Sequence, residues 1–196
     1  MPARRGATET VSFGRDRSRP RWWGPAALVA VLLGGALVLA DATARSGEFD
    51  DLMVAVEATQ TTVALSERKL SSMRQYVRPL MSSTDASSPV GLGLRDLVRD
   101  VGLEGAARVA EQREAVTATR ILPWHSAQRT ARARYLDYLD AKAEHLAVAG
   151  ALDAVDDPKE NRVDQAREDA VSALLAAASG DAQSARAEAA LGGPWS

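Results

Sequence analysis

Residues 22–40 read WWGPAALVAVLLGGALVLA, and this stretch decides the fold because it contains no charged residue. A helix rises about 1.5 Å per residue, so this run covers about 28 Å, close to the ~30 Å hydrocarbon core of a bilayer. An arginine-rich segment precedes it and a long polar remainder follows. The pattern predicts one transmembrane helix over residues 22–40, acting as a signal anchor.

The charges on either side of this stretch predict its orientation. Residues 1–21 hold six arginines against two acidic residues, a net charge of +4, whereas acidic residues predominate directly after residue 40. Positively charged flanks stay in the cytoplasm, and tryptophans such as Trp22 and Trp23 favour the headgroup level. We therefore expect a disordered cytoplasmic tail over residues 1–21 and an extracytoplasmic remainder, in a single-pass protein of the cell membrane.

A cleaved secretory signal peptide is an alternative interpretation of the same residues. An arginine-bearing segment, an apolar run over residues 27–40 and small residues beyond it fit that pattern as well. Small residues stand at plausible cleavage positions in Val38-Leu39-Ala40 and Ala42-Thr43-Ala44. Both interpretations export the same domain, and they differ in whether it stays attached to the membrane.

Composition limits what the exported part can be. The whole chain carries −2, so a tail of +4 and an uncharged span leave −6 beyond residue 40, which argues against nucleic-acid binding. Cysteine is absent, which excludes disulfides and thiolate metal sites. Aromatic residues make up only 5% of the chain and alanine is abundant, a balance that favours helices over strands. We predict an all-α fold, in which the transmembrane helix is followed by an extracytoplasmic antiparallel bundle of three to four helices over residues 41–190 and a disordered end over residues 191–196.

The clearest helix in that part follows residue 46. Apolar positions step by three and four, as in a coiled-coil seam. The seam consists of Phe49, Leu52, Val56, Thr59, Val63, Ser66, Leu70, Met73, Val77 and Leu80. It can pair with a second copy as a coiled coil or with later helices as a bundle; the polar Thr59 and Ser66 favour the bundle. The helix is expected to kink or end near Arg78, because Pro79 lacks a backbone donor, and a flexible loop is expected over residues 82–89.

Further helices are predicted along the rest of the chain. Residues 91–119 have a helical pattern with an expected break near Gly102, because glycine costs about 1 kcal/mol in a helix interior. A third helix is expected from about residue 126 to 155, preceded by an apolar turn in which Trp124 plugs one end of the bundle. Asp157-Pro158 begins a fourth helix that ends at Ser179-Gly180, and a short fifth covers residues 181–190.

The sequence offers no recognisable catalytic or metal site. His125 and His145 are twenty residues apart, about 30 Å along one helix, too far to share a metal ion. Each is expected to be an ordinary surface or half-buried residue. No Gly-x-Ser-x-Gly elbow is present, and acidic pairs such as Asp137 and Asp140 are typical of solvated helix faces. We therefore predict no enzyme activity, no cofactor and no metal.

Residues 108–134 form a basic segment within the otherwise acidic exported part. Six arginines stand against Glu111 and Glu114, a net charge of +4. The arginines are Arg108, Arg113, Arg120, Arg129, Arg132 and Arg134. They are interpreted either as a basic flank satisfied by the acidic fourth helix, or as a docking patch for an anionic envelope polymer, a lipid headgroup or an acidic partner.

These observations favour a protein of the cell envelope that acts by protein–protein contact. Its expected partners are the lipid bilayer and either an unidentified envelope protein or a second copy. Two alternatives stay open. One is a sensor-like ligand-binding bundle, since a span leading into a long helix resembles bacterial receptors in general layout. The other is a secreted helical protein.

Overall fold

The structure, a computed structural model, describes residues 23–150 and 158–191, with side chains over 27–150 and 161–191. Every regular element in these ranges is an α-helix, which confirms the predicted all-α class. The helices are α1 (Trp23–Ser83), α2 (Pro89–Ala118), α3 (Ser126–Ala149), α4 (Pro158–Ala177) and α5 (Asp181–Leu191). The predicted tail, the Asp157 cap, the extension of the third helix to residue 155 and residues 192–196 lie outside the described residues.

The chain divides into two compact units, residues 1–40 and 41–196. In the first unit, α1 is apolar on every side, and each described side chain from residue 27 to 40 is exposed. Leu32, Leu37 and Leu39, for example, are each more than 60% exposed. The described residues contain one helix that is long and apolar enough to cross a membrane, judged by length and composition, and this stretch supplies its apolar part.

In the second unit, the predicted seam of α1 forms one side of the core. Eight of its ten residues are buried; Met73 is half-buried and Leu80 is exposed. The apolar seam residues other than Leu80 pack in one cluster with residues of the later helices, so the same chain covers them. The two polar seam residues cost little here, because the hydroxyls of Thr59 and Ser66 donate to the carbonyls of Ala55 and Thr62 one turn earlier.

Contacts along the helices give their relative directions. Proceeding along α1, Glu48 meets His125 and Glu67 meets Lys142, so α3 runs in the same direction as this part of α1. The pairs between α2 and α3, and between α3 and α4, advance in opposite directions. These pairs are Thr119 with Arg132, Arg113 with Asp140, Gln128 with Ala177 and Glu144 with Arg162.

The predicted break near Gly102 is wrong, because α2 is continuous from Pro89 to Ala118. The reason is a close approach between helices. A methyl group on the Gly102 Cα would lie 2.6 Å from the Leu146 carbonyl oxygen and 2.8 Å from the Gly150 Cα. Glycine is therefore required here by the packing of α2 against the end of α3, and that packing outweighs its low helix propensity.

The connection between α1 and α2 also differs from the prediction. α1 continues through Pro79 for one further turn to Ser83, where the Ser82 hydroxyl donates to the Pro79 carbonyl. α2 begins at Pro89, two residues before the predicted start, since proline suits the first helical position. The Ser88 hydroxyl caps this helix by accepting from the Gly91 N–H at 3.1 Å.

The last two helices complete the core with small side chains. The buried residues of α4 and α5 are Val163, Ala170, Leu174, Ala177, Ala187 and Leu191. Leu191 was expected in the disordered end, but it is buried as the last residue of α5. Its carbonyl accepts a hydrogen bond from the Arg167 guanidinium at 2.6 Å. This bond links the end of α5 to α4.

Candidate functional site

The most unusual group of side chains surrounds His125, the residue just before α3. The sequence analysis expected a surface or half-buried histidine, and this expectation is wrong, because the His125 side chain is completely buried. Its Nδ1 lies 2.6 Å from a carboxylate oxygen of Glu48, and its Nε2 lies 2.9 Å from a carboxylate oxygen of Asp41. Both acids belong to α1. We call these three residues the histidine clamp.

Each ring nitrogen of His125 thus faces a carboxylate. A neutral imidazole has one N–H donor and an imidazolium has two, so only the protonated ring donates to both acids. Hydrogen bonds from the imidazole to Asp41 and then Glu48 raise the pKa of His125 above its usual 6.5, although burial acts in the opposite direction. The same hydrogen bond lowers the pKa of Asp41 below 3.8. The clamp therefore favours a charged histidine between two charged carboxylates.

Two further hydrogen bonds attach the α2–α3 connection to the same acids. The Leu122 N–H donates to Glu48 at 2.9 Å, and the Trp124 indole N–H donates to Asp41 at 3.3 Å. Both His125 nitrogens are engaged and its ring is buried, so the clamp presents no open nitrogen to a substrate. The clamp is therefore a structural contact that joins α1 to the start of α3 through charged hydrogen bonds.

Trp124 does not plug the end of the bundle, and that prediction is wrong. Its side chain is 65% exposed. The indole meets the His125 ring edge-on at a centroid distance of 6.0 Å, while its N–H faces Asp41. The buried position is taken by His125, because its two nitrogens find charged partners there and an indole has only one donor.

Sequence reasoning missed the histidine clamp. Asp41 and Glu48 are seven residues apart, which places both on one face of a helix, separated by two turns. That spacing was the only available signal. Neither acid is near His125 in sequence, and only the packing of α3 beside α1 brings the three together.

The arginines of residues 108–134 are mostly paired within the chain. Arg108 bonds to Glu104 and Arg113 to Asp140, and Arg134 lies 3.5 Å from Asp137. Arg132 donates to the carbonyls of Thr117 and Thr119 at the end of α2. We expected acidic residues of the fourth helix to pair with these arginines. That expectation is wrong, because the partners of the paired arginines lie on α2, at its end and on α3. The side chains of Arg120 and Arg129 are exposed and bond to no residue in the described part of the chain.

The remaining candidate residues are not brought together. His145 is half-buried within α3. Asp137 and Asp140 each face an arginine instead of each other. Over residues 27–150 and 161–191, no group of three or more histidine, aspartate or glutamate side chains is arranged to hold a metal ion.

The second unit has open grooves on its surface. One of about 570 Å³ lies along α4 and α5 and is lined by Asp164, Arg167, Val171, Leu175 and Leu191, among others. A smaller one of about 330 Å³ lies beside the histidine clamp, between the start of α3 and the end of α4, and includes Arg45 and Trp124.

Several exposed apolar side chains lie near the end of α1 and the start of α2. We call residues 71–98 the distal hairpin. Gly150, which follows α3, lies against Arg99 and Gly102, so the hairpin extends past the described end of α3. Val77 and Val98 are buried in it. Its large exposed apolar side chains are Tyr76, Leu80, Val90, Leu92 and Leu97.

When the chain is compared with protein families, with curated proteins and with solved structures, no match is found.

Proposed function

We propose that this chain is a single-pass membrane-anchored protein of the cell envelope that acts by protein–protein contact, without catalysis. The observation that carries the anchor is the surface of α1 over residues 27–40, which is apolar and exposed all round. A helix that is hydrophobic on every side is stable in a protein core or in a membrane. No described side chain in this stretch is buried by protein, so a bilayer is the environment that suits it.

The proposed orientation rests on charge. Residues 1–21 carry +4 and remain in the cytoplasm, whereas residues 41–191 form an antiparallel helical bundle outside it. The opposite directions of α2 and α3, and of α3 and α4, support the bundle. The histidine clamp fastens the bundle at the first residue after the apolar stretch.

The proposed contact surface is the distal hairpin. Over the ~20 Å from Leu70 to Ser83, α1 packs with α2 and extends beyond the described end of α3. Tyr76 is 69% exposed and Val90 63%. Large apolar side chains gathered at one end of a domain are typical of a contact site, whereas single ones scattered over a surface are not.

A second copy of the chain is the occupant we propose for this surface. Anchored copies share one membrane plane. Confinement to this plane raises the effective concentration of one hairpin for another. Association that is weak in solution is thereby strengthened on the membrane.

Cysteine crosslinking tests this proposal, because the natural chain contains no cysteine. We expect a full-length Leu92→Cys variant to form a disulfide-linked dimer on oxidation in membranes. Adding Tyr76→Glu should reduce the dimer yield about ten-fold, because a charge is buried poorly in an apolar contact. Ala133→Cys, exposed on α3, is the matched control and should form little dimer.

Two outcomes would count against the second copy. Equal dimer yields from Leu92→Cys and Ala133→Cys would show that the hairpin is not the contact surface. A disulfide from Leu92→Cys to a different protein, with no homodimer, would replace the second copy with that partner.

A further inference from the structure

The end of the second unit that carries the histidine clamp has its own exposed features. Of the aromatic side chains that the structure describes, Phe49, Tyr135 and Tyr138 are buried in the core. Tyr76 belongs to the distal hairpin. Trp124 is the other exposed aromatic residue, at the opposite end of α2, and the core does not require it there.

Trp124 is held in place although it is exposed. Its indole N–H donates to Asp41, and its ring rests edge-on against the buried His125. Both partners belong to the histidine clamp, so the indole is positioned by one hydrogen bond to the partly exposed Asp41 and by one edge contact with the buried His125. A fixed, solvent-facing tryptophan loses little conformational freedom on binding a surface.

The residue that holds Trp124 is also the first one after the apolar stretch. Asp41 follows Ala40 by one peptide bond. If residues 22–40 span a bilayer, Asp41 stands at its outer edge, and a side chain hydrogen-bonded to it lies at the depth of the headgroups. Tryptophan is enriched at this depth because its ring is apolar and its N–H is polar.

Two arginines accompany this tryptophan in sequence. Arg120 precedes it by four residues, and Arg129 is in the first turn of α3, where its N–H donates to the His125 carbonyl. Both side chains are exposed and bond to no described residue, in contrast to Arg108, Arg113, Arg132 and Arg134. Cations that the described residues leave unpaired are available to the phosphates of anionic lipids, which attract basic residues close to the surface.

We propose that Trp124, Arg120 and Arg129 form a membrane-facing lip that binds the outer headgroup layer, with the indole at the interface and the arginines on anionic lipid phosphates. This inference rests on the proposed membrane anchor. Of the docking partners predicted for the basic segment, it selects the lipid headgroup. It limits that contact to Arg120 and Arg129.

Fluorescence quenching by brominated lipids tests the lip in the full-length chain. Phenylalanine replaces Trp22, Trp23 and Trp195, so that Trp124 is the only tryptophan. The protein is reconstituted in vesicles of phosphatidylcholine with and without phosphatidylglycerol, with bromine atoms near the top of the acyl chains. We expect the Trp124 emission to be quenched and shifted to shorter wavelength, most strongly in the anionic vesicles.

The arginines are tested in the same background. Each arginine near an anionic surface is worth about a five-fold change in the bound-to-free ratio. Arg120→Gln with Arg129→Gln should therefore abolish the additional quenching by phosphatidylglycerol. Arg68→Gln with Arg78→Gln is the control, because it removes the same charge from two exposed positions on α1. This pair should leave the additional quenching by phosphatidylglycerol unchanged.

A companion chain separates failure of the lip from failure of the anchor. In it, Trp23 is the only tryptophan. If Trp23 is quenched and Trp124 is not, the lip is wrong and the anchor stands. If Trp23 is not quenched either, the anchor itself is wrong. Trp124 emission that shifts to shorter wavelength without quenching would mean burial in a protein contact, and would overturn the lipid as its partner.

Discussion

Replacing Gly102 with alanine is expected to lower the free energy of unfolding by about 1–2 kcal/mol, although alanine favours helices more than glycine does. The added methyl group would meet backbone atoms of Leu146 and Gly150 at 2.6 and 2.8 Å, and backbone cannot rotate away as a side chain does. Overpacking typically costs about 1–3 kcal/mol, and contacts this short with backbone belong in the upper part of that range, at about 2–3 kcal/mol. The gain in helix propensity returns about 1 kcal/mol, which leaves the expected loss of about 1–2 kcal/mol. Thermal unfolding of the full-length chain in detergent, followed by circular dichroism, measures the change.

Gly93→Ala is the matched control, because Gly93 lies in the same helix. Apart from its chain neighbours and the nearby backbone of its own helix, a methyl group there would have no heavy atom within 4 Å. This variant should be more stable than the natural chain by up to about 1 kcal/mol. Stabilisation by both substitutions would contradict the close approach of α2 and α3.

Removing the histidine clamp is expected to change how stability depends on pH. In the folded chain the pKa of His125 is raised. The contribution of the clamp to the stability of the fold is therefore fully present below pH 6.5, and it is lost as the pH rises through the higher pKa of the folded state. The lowered pKa of Asp41 acts on the acid side, where its contribution is present above pH 3.8 and is lost as pH falls through the lower folded value. Stability should therefore be greatest between these limits.

We expect His125→Gln to lower the melting temperature at pH 6 by on the order of 5 °C, because the two carboxylates lose their charged partner. At alkaline pH the difference between the variant and the natural chain should shrink, since His125 of the natural chain is then neutral, as glutamine is at every pH. His145→Gln makes the same substitution at the other histidine, away from the clamp, and serves as the control. A natural pH dependence in His125→Gln would exclude the clamp as its source.

Much of the helical core was predictable, because one face of a packed helix repeats every three to four residues. The seam of α1 shows this, since Phe49, Val56 and Val63 are all buried where the spacing placed them. The start of α3 at Ser126 and of α4 at Pro158 also agrees with the local signals.

Features that depend on distant contacts were not predictable in the same way. Helix propensity predicted a break at Gly102, but the need for close packing against α3 is visible only in three dimensions. The composition around Trp124 predicted a buried tryptophan, whereas His125 is buried instead because Asp41 and Glu48 reach it from α1. Both acids are more than seventy residues away in sequence.

The arginines of residues 108–134 illustrate a further limit. Net charge identified the segment, but it could not separate paired from unpaired side chains. Arg113 is neutralised by Asp140 and Arg132 binds the final carbonyls of α2, where a cation suits the helix dipole. Only the contacts single out Arg120 and Arg129 for the proposed lip.

Labelling of single cysteines in intact cells tests the central claim, that residues 22–40 cross the membrane with the tail inside and the helical unit outside. The natural chain has no cysteine, so Ser12→Cys in the tail and Ser172→Cys on the exposed face of α4 each report one location. We predict that a membrane-impermeant maleimide labels Ser172→Cys in intact cells and labels Ser12→Cys only after the cells are opened. Labelling of Ser12→Cys but not Ser172→Cys in intact cells, or of neither until lysis, would contradict the proposed topology.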